Sequence, residues 1–297
     1  MRVGTASLYA GIQQRLQRLT ADLDSLNEKI ASGKKVNRPS DDPIATVEAM
    51  QFKTATRQMD QYGRNLKTAG SWFTASESAL SQTLDLVARV HEIAVTMNSD
   101  NQNAQTRDSA AVEVGELLDQ AISLGNTELS GRYIFSGFET ATAPFTKVMV
   151  GGVETAQYNG DTNDFQVQIG KDENLTAGKN GQTVLMDSTL FSTLGSLKKA
   201  LEDNDLDGVN TQLGNLTSVE DYLNNQIADI GGRQNRAEVK ANILGQLQLD
   251  LQDRLSQAED ADIAEVMIQL NSKQVIYQAA LAAAARVSQM SLLDYLN

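Results

Sequence analysis

The sequence predicts a mainly α protein with a small β-rich insertion, and three observations carry that prediction. Ile12, Leu16, Leu19, Leu23, Leu26 and Ile30 recur at intervals of 4, 3, 4, 3 and 4, the seam of a coiled-coil helix. Proline occurs only 3 times in 297 residues and aromatic residues make up only 5 %, a composition that suits long helices. Six of the fifteen Phe, Trp and Tyr residues crowd between Tyr133 and Phe165, in a stretch that also carries turn glycines.

The first helix is expected from about Ser7 to Ala31, with Gly33 as its stop signal. Its narrow apolar stripe is half of a coiled coil and cannot bury itself alone. Pro39-Ser40-Asp41-Asp42-Pro43 then marks a sharp turn. The Asp42 carboxylate is placed to cap the next helix, and Pro43 falls at its first position, where a missing N–H costs nothing. Helical patterning runs from Ile44 to about Met97, with Gly63 and Gly70 as weak points. The polar stretch Asn98 to Asn103 reads as a loop, and another helix follows from Ala104 to about Leu129.

The character changes at Gly131. Gly151-Gly152, Asn159-Gly160 and Asn180-Gly181 are hairpin-type turn signals. Phe165, Val167 and Ile169 alternate with Gln166 and Gln168, the pattern of a strand with one wet face. Helices return from Ser188 to Glu202, break over Asp203 to Gly208, and resume with an interruption at Gly231-Gly232. The last helix is expected from Ile263 to Leu296, with Ile263, Met267, Leu270, Tyr277, Leu281 and Ala284 at heptad-compatible positions and Gln274 interrupting them. The expected divisions are therefore 1–42, 43–131, 132–187, 188–258 and 259–297, helical segments flanking a β-rich 132–187 on either side.

Charge and composition exclude several classes of function. The net charge of −13 and pI near 4.6 argue against nucleic-acid binding, which needs clustered Lys and Arg. The longest apolar run, Ala279 to Ala285, is far too short for a membrane span, and the start lacks the apolar core of a cleaved secretory signal. Cysteine is absent and His91 is the single histidine, which leaves little material for nucleophilic or metal-centred catalysis. Val95 stands where a second zinc-binding histidine would follow His91. Asp203, Asp205, Asp207 and Gly208 open a calcium-loop pattern, but Gly214 occupies the position that needs a bidentate glutamate. Asp41 and Asp42 read as turn and cap residues rather than a catalytic pair. No phosphate loop, dinucleotide fingerprint or nucleophile elbow occurs. No enzyme activity, cofactor or metal is expected. Residues 1–40 hold seven basic groups against three acidic ones, whereas residues from Glu259 onward hold five acidic against two basic. These opposite signs favour pairing of the two ends.

Met1-Arg2-Val3, Ile30-Ala31-Ser32-Gly33-Lys34-Lys35 and Arg38-Pro39-Ser40-Asp41-Asp42-Pro43 resemble the amino-terminal signature of the bacterial flagellin family, in particular its hook–filament junction branch. Gly131 to Gly137, Tyr158 to Asp161 and the ending Met290 to Asn297 are similar to the same branch. The resemblance implies an elongated, flagellin-like structural protein whose terminal helices pair as an antiparallel coiled coil in the inner tube of the flagellum, with the β-rich insertion facing outward. It implies an extracellular adaptor, exported by the flagellar type III apparatus. Its partners would be neighbouring copies, another hook-associated protein on the hook side, flagellin on the filament side, and an export chaperone at the carboxy-terminal region. The assembly interface would comprise Ile12, Leu16, Leu19, Leu23, Leu26 and Ile30, together with Met267, Leu270, Tyr277, Leu281, Ala284, Leu292, Leu293 and Leu296. Pro39, Asp42 and Pro43 would form the turn between the two amino-terminal helices. A short filament flagellin and a type III-secreted helical effector are the alternatives.

Overall fold

The computed structural model describes the backbone of residues 2–296 and the side chains of residues 7 and 10–286. Six α-helices dominate the chain: α1 (Arg2–Ser32), α2 (Pro43–Met97), α3 (Ala104–Gly125), α4 (Leu190–Glu202), α5 (Leu206–Glu259) and α6 (Ile263–Leu296). Six short strands lie between α3 and α4: β1 (Glu128–Leu129), β2 (Arg132–Tyr133), β3 (Phe145–Val150), β4 (Val153–Tyr158), β5 (Phe165–Gly170) and β6 (Glu173–Gly178). They form three separate antiparallel pairs, β1–β2, β3–β4 and β5–β6, followed by a π-helical turn at Gln182–Met186. No helix among the described residues is long and apolar enough to cross a membrane.

The chain divides into two compact units, one of residues 1–58 with 246–297 and the other of residues 59–245, so α2 and α5 contribute to both. The 59–245 unit holds a continuous apolar core. Phe73, Leu80, Val87 and Val90 of α2 meet Val114 and Leu118 of α3, Leu190, Leu194 and Leu197 of α4, and Val209, Leu216 and Leu223 of α5. The hairpins share that core rather than standing apart from it, through Phe145, Ala156, Ile169 and Leu175. Strand β4 lies against α4 because Gly195 has no side chain; a Cβ there would sit 1.7 Å from the Glu154 carbonyl oxygen. Trp72 donates to the Ile134 carbonyl at 3.4 Å and stacks on Phe165 of β5 at 4.8 Å.

Three local expectations are corrected. Helix α3 ends at Gly125, not near Leu129, because the Asn126 amide pairs both backbone groups of Phe145 at 2.9 Å and turns the chain into β1. Helix α5 runs unbroken through Gly231 and Gly232, since the buried Ile230 and Ala237 on either side hold it in place; tertiary packing overrides a weak local propensity. Of the three turn signals, only Gly151-Gly152, at φ of 60° and 81°, joins a hairpin. Asn180 is instead buried, its amide donating to Asp164 and to the Thr162 carbonyl at 2.9 Å. Strands β5 and β6 turn at Lys171 and Asp172.

Candidate assembly surface

Helix α1 carries its apolar residues on one side. Leu26 is buried and Ile12, Leu16, Leu19, Leu23 and Ile30 are half-buried, whereas most residues between them are exposed. The helix stops at Gly33, whose φ of 72° is reached without the strain a side chain would bring. The Gly33 N–H still donates to the Lys29 carbonyl at 2.9 Å.

Beyond Gly33 the chain meets the link between α5 and α6. Lys34 pairs with Asp260 in a short antiparallel bridge, with Lys35 N–H donating to Glu259 O at 2.8 Å and Ala261 N–H to Gly33 O at 2.9 Å. The Glu259 side chain is almost fully covered and is held by two ammonium groups, from Lys34 and, at 2.6 Å, from Lys53 of α2. Burial pushes the Glu259 carboxyl upward, but the two lysine contacts outweigh it and leave the group below its ordinary value. Lys34 is held above its ordinary value by the same contact. Sequence reasoning found the opposite charges of the two ends but not this cluster, for no local pattern marks one glutamate of α5 as buried.

The turn between α1 and α2 is built from its two aspartates. Asp41 accepts from the Arg38 N–H at 2.9 Å and the Asn37 N–H at 3.2 Å, and these backbone bonds lower its pKa. Asp42 accepts from the N–H groups of Ile44 at 3.0 Å and Ala45 at 2.9 Å, satisfying orphan donors of α2, which begins at Pro43. Pro39 precedes them on the exposed side of the turn. Asp262 does for α6 what Asp42 does for α2, accepting from Ala264 at 2.9 Å and Glu265 at 3.2 Å.

From this junction α1 and α6 run past each other antiparallel, tied further along by Lys273 and Asp22 at 2.6 Å. Among the described side chains of α6 the covered ones are Val266, Leu270, Lys273, Tyr277, Ala280 and Ala284, spaced 4, 3, 4, 3 and 4 like those of α1. Within this pair the covered phase differs from the expected one. Leu270, Tyr277 and Ala284 lie on the covered side, but Ile263, Met267 and Leu281 lie beside it and are exposed, and a lysine occupies a seam position. Leu292, Leu293 and Leu296 fall outside the described side chains.

The side of α6 turned away from this seam is apolar too. Ile268 is 70 % exposed and Val275 65 %, with Ile276 exposed beside them. These residues form a second apolar strip on α6, separate from the seam and open to a further partner. Of the eighteen large exposed hydrophobic residues among those described, eleven belong to the 1–58 and 246–297 unit, including Ile44, Val47, Met50 and Leu249. Among its described side chains that unit buries only Leu26, Ala49 and Val266 as apolar residues. Those described residues expose more large apolar side chains than they bury, the mark of an interaction surface.

Other candidate chemistry does not assemble. Asp205 accepts from Gly208 N–H at 3.1 Å and Asp203 pairs with Lys199 at 3.0 Å, so the acidic run caps and brackets the α4–α5 turn. Among the described residues no three His, Cys, Asp or Glu side chains gather to hold a metal ion. His91 is half-buried at the edge of a shallow groove with Arg89, Glu92 and Glu113, where Arg89 pairs with both glutamates. A second groove, over the β3–β4 hairpin, is lined by Val148, Val153, Gln157, Gln182 and Ser192, with Tyr158 as its one titratable group. Burial pushes the Tyr158 phenol up to about 12, and it stays within hydrogen-bonding distance of two backbone carbonyls.

Known proteins resemble this chain in sequence and in fold. Residues 3–140 match the family described as bacterial flagellin N-terminal helical region, and residues 206–296 match its C-terminal helical region. The chain is 26 % identical over 312 residues to flagellar hook-associated protein 3 of Escherichia coli, covering 94 % of this chain and 96 % of that one. It is 25 % identical over 272 residues to flagellin FlaB1 of Treponema pallidum, covering 91 % of each. The crystal structure of Bacillus cereus FlgL superposes with a TM-score of 0.59 at 22 % identity, covering 69 % of this chain and 99 % of that one, a likeness of fold. With both helical regions matched over more than half of its length, the chain belongs to the bacterial flagellin family.

Proposed function

We propose that this chain is a structural adaptor of the bacterial flagellum, positioned extracellularly between the hook and the flagellin filament. The observation that carries the reading is the paired α1 and α6, joined to an excess of exposed apolar side chains on the same unit. Such a pair satisfies one seam within the chain and leaves Ile268, Val275 and Ile276 to be covered by neighbours. Each large aliphatic side chain fully buried there contributes roughly 1.5–3 kcal/mol, against the cost of ordering the partners.

The junction role is favoured by near full-length similarity to flagellar hook-associated protein 3. In this reading the neighbours are further copies, another hook-associated protein and flagellin, and the carboxy-terminal region is bound by an export chaperone before transit through the type III apparatus. The role requires no catalysis and no cofactor. A filament flagellin is the second reading, supported by the similarity to FlaB1. Self-assembly separates the two. Purified chain brought to conditions that polymerise flagellin should form no long filaments alone, yet should be incorporated when flagellin is grown from hook ends. Long filaments of this chain alone would move the assignment to flagellin.

A further inference from the structure

A heptad seam does not fix its own alignment. Sliding α1 by seven residues carries Ile12 onto the place of Leu19, Leu16 onto Leu23, Leu19 onto Leu26 and Leu23 onto Ile30, so the apolar pattern is nearly preserved. The bridge at Gly33 and Ala261 anchors one end of the α1–α6 pair. Asp22 and Lys273 meet roughly 17 Å further along, at the helical rise of about 1.5 Å per residue, and Lys273 stands in the seam itself, where an apolar residue would give a stronger pair. The residues one heptad to either side of Asp22 are Arg15 and Lys29. Either single-heptad slip would therefore bring Lys273 against a like charge, and only the observed alignment offers it a carboxylate.

We propose that Asp22 and Lys273 set the register of the terminal helix pair, trading seam stability for rejection of heptad slips. A polar residue at one seam position is the best-attested device for fixing a coiled-coil alignment. Here the attractive contact and the two repulsive alternatives are encoded together in α1.

The absence of native cysteine makes disulfide trapping a clean readout. In the observed register Ala280 lies level with Leu16, and in the slip that carries position 273 to Lys29 it lies level with Leu23. The Leu16→Cys, Ala280→Cys chain should trap readily within one molecule at dilute concentration, and the Leu23→Cys, Ala280→Cys chain poorly. Lys273→Glu should lower the first trap about fivefold or more, the scale of one lost attraction plus one gained repulsion, and raise the second. Adding Asp22→Lys to Lys273→Glu should raise the first trap again, while the second stays above its parent level because Arg15 and Lys29 still attract Glu at position 273 in either slip. The proposal is overturned if Lys273→Glu leaves the first trap unchanged, if the second does not rise, or if adding Asp22→Lys fails to raise the first trap above that of Lys273→Glu alone.

Discussion

Glu259 of α5 and Lys53 of α2 lie 206 positions apart in the chain and form an ion pair of 2.6 Å, with the Glu259 side chain 8 % exposed. Lys34 closes on the same carboxylate, so one buried group ties the end of α5 to the start of α2 and to the link after α1. Removing either lysine takes one counter-charge from a buried carboxylate, and removing the carboxylate leaves two exposed ammonium groups without the acceptor that draws them together.

Glu259→Gln should therefore loosen the junction while sparing the 59–245 unit. Hydrogen exchange of residues 33–36 and 257–263 should quicken, with exchange in α3 and α4 unchanged. The same cluster makes the junction acid-sensitive. Because the Glu259 carboxyl is held below its ordinary 4.5, its contribution is complete above that value and is lost as pH falls through the lowered one. Lys34 is held above its ordinary 10.5, so its contribution is present below that value and fades as pH rises through the raised one. Exchange corrected for intrinsic rates should be flat from pH 6 to 9 and rise in acid in the wild type, but not in Glu259→Gln.

Arg107 is buried at 4 % exposure, and among the described residues its guanidinium is held by carbonyl and amide oxygens rather than by a carboxylate. Its guanidinium donates to the carbonyls of Met97 at 3.0 Å and Ser99 at 2.9 Å, and to the Asn204 side chain at 2.6 Å. It thus joins the end of α2 to the α4–α5 turn. Arg107→Ala should cost about 2–3 kcal/mol, and Arg107→Lys should recover little, because one ammonium cannot reproduce the fork. Trp72, the single tryptophan, is buried in that unit, so urea denaturation followed by its fluorescence reads the loss directly.

Two glycine substitutions should have opposite signs. Gly195→Ala drives a methyl into the Glu154 carbonyl and must separate β4 from α4, a loss of about 1–3 kcal/mol or more. Gly232→Ala meets nothing within 4 Å on the helical α5 and should gain about 0.5–1 kcal/mol. Thermal melts of the two variants test this, and a gain for Gly195→Ala would show that β4 is not held by close backbone approach.

Leu19→Asp combined with Leu26→Asp should abolish assembly. Both residues lie on the covered side of α1, where a carboxylate would lose hydration without gaining a partner. The Trp72 fluorescence transition should stay where it is, since neither residue belongs to the 59–245 core. Normal incorporation of this variant into flagella would contradict the assembly role of the seam.

The seam of α1 was legible because polar residues separate its six apolar positions, leaving one phase for the pattern. Helix α6 has no such contrast. Ile268, Val275, Ile276 and the alanines fill several faces, so several phases fit, and a lysine at a covered position disguised the one that the structure adopts. The cap at Asp42 follows a local rule, and the start of α2 is read from it; Asp262 caps α6 by the same rule, though that helix start is read from its apolar pattern. What the sequence hid was non-local. The grip of Asn126 on Phe145, the buried Asn180 and the Glu259 cluster join residues far apart in the chain, and no window of periodicity contains both partners.

The central claim is the adaptor role, and immunogold electron microscopy of intact flagella tests it most directly, with antibody raised against the hairpins of residues 145–178. The account predicts label confined to one spot where the hook meets the filament. Label along the whole filament, or none on the flagellum, would contradict it.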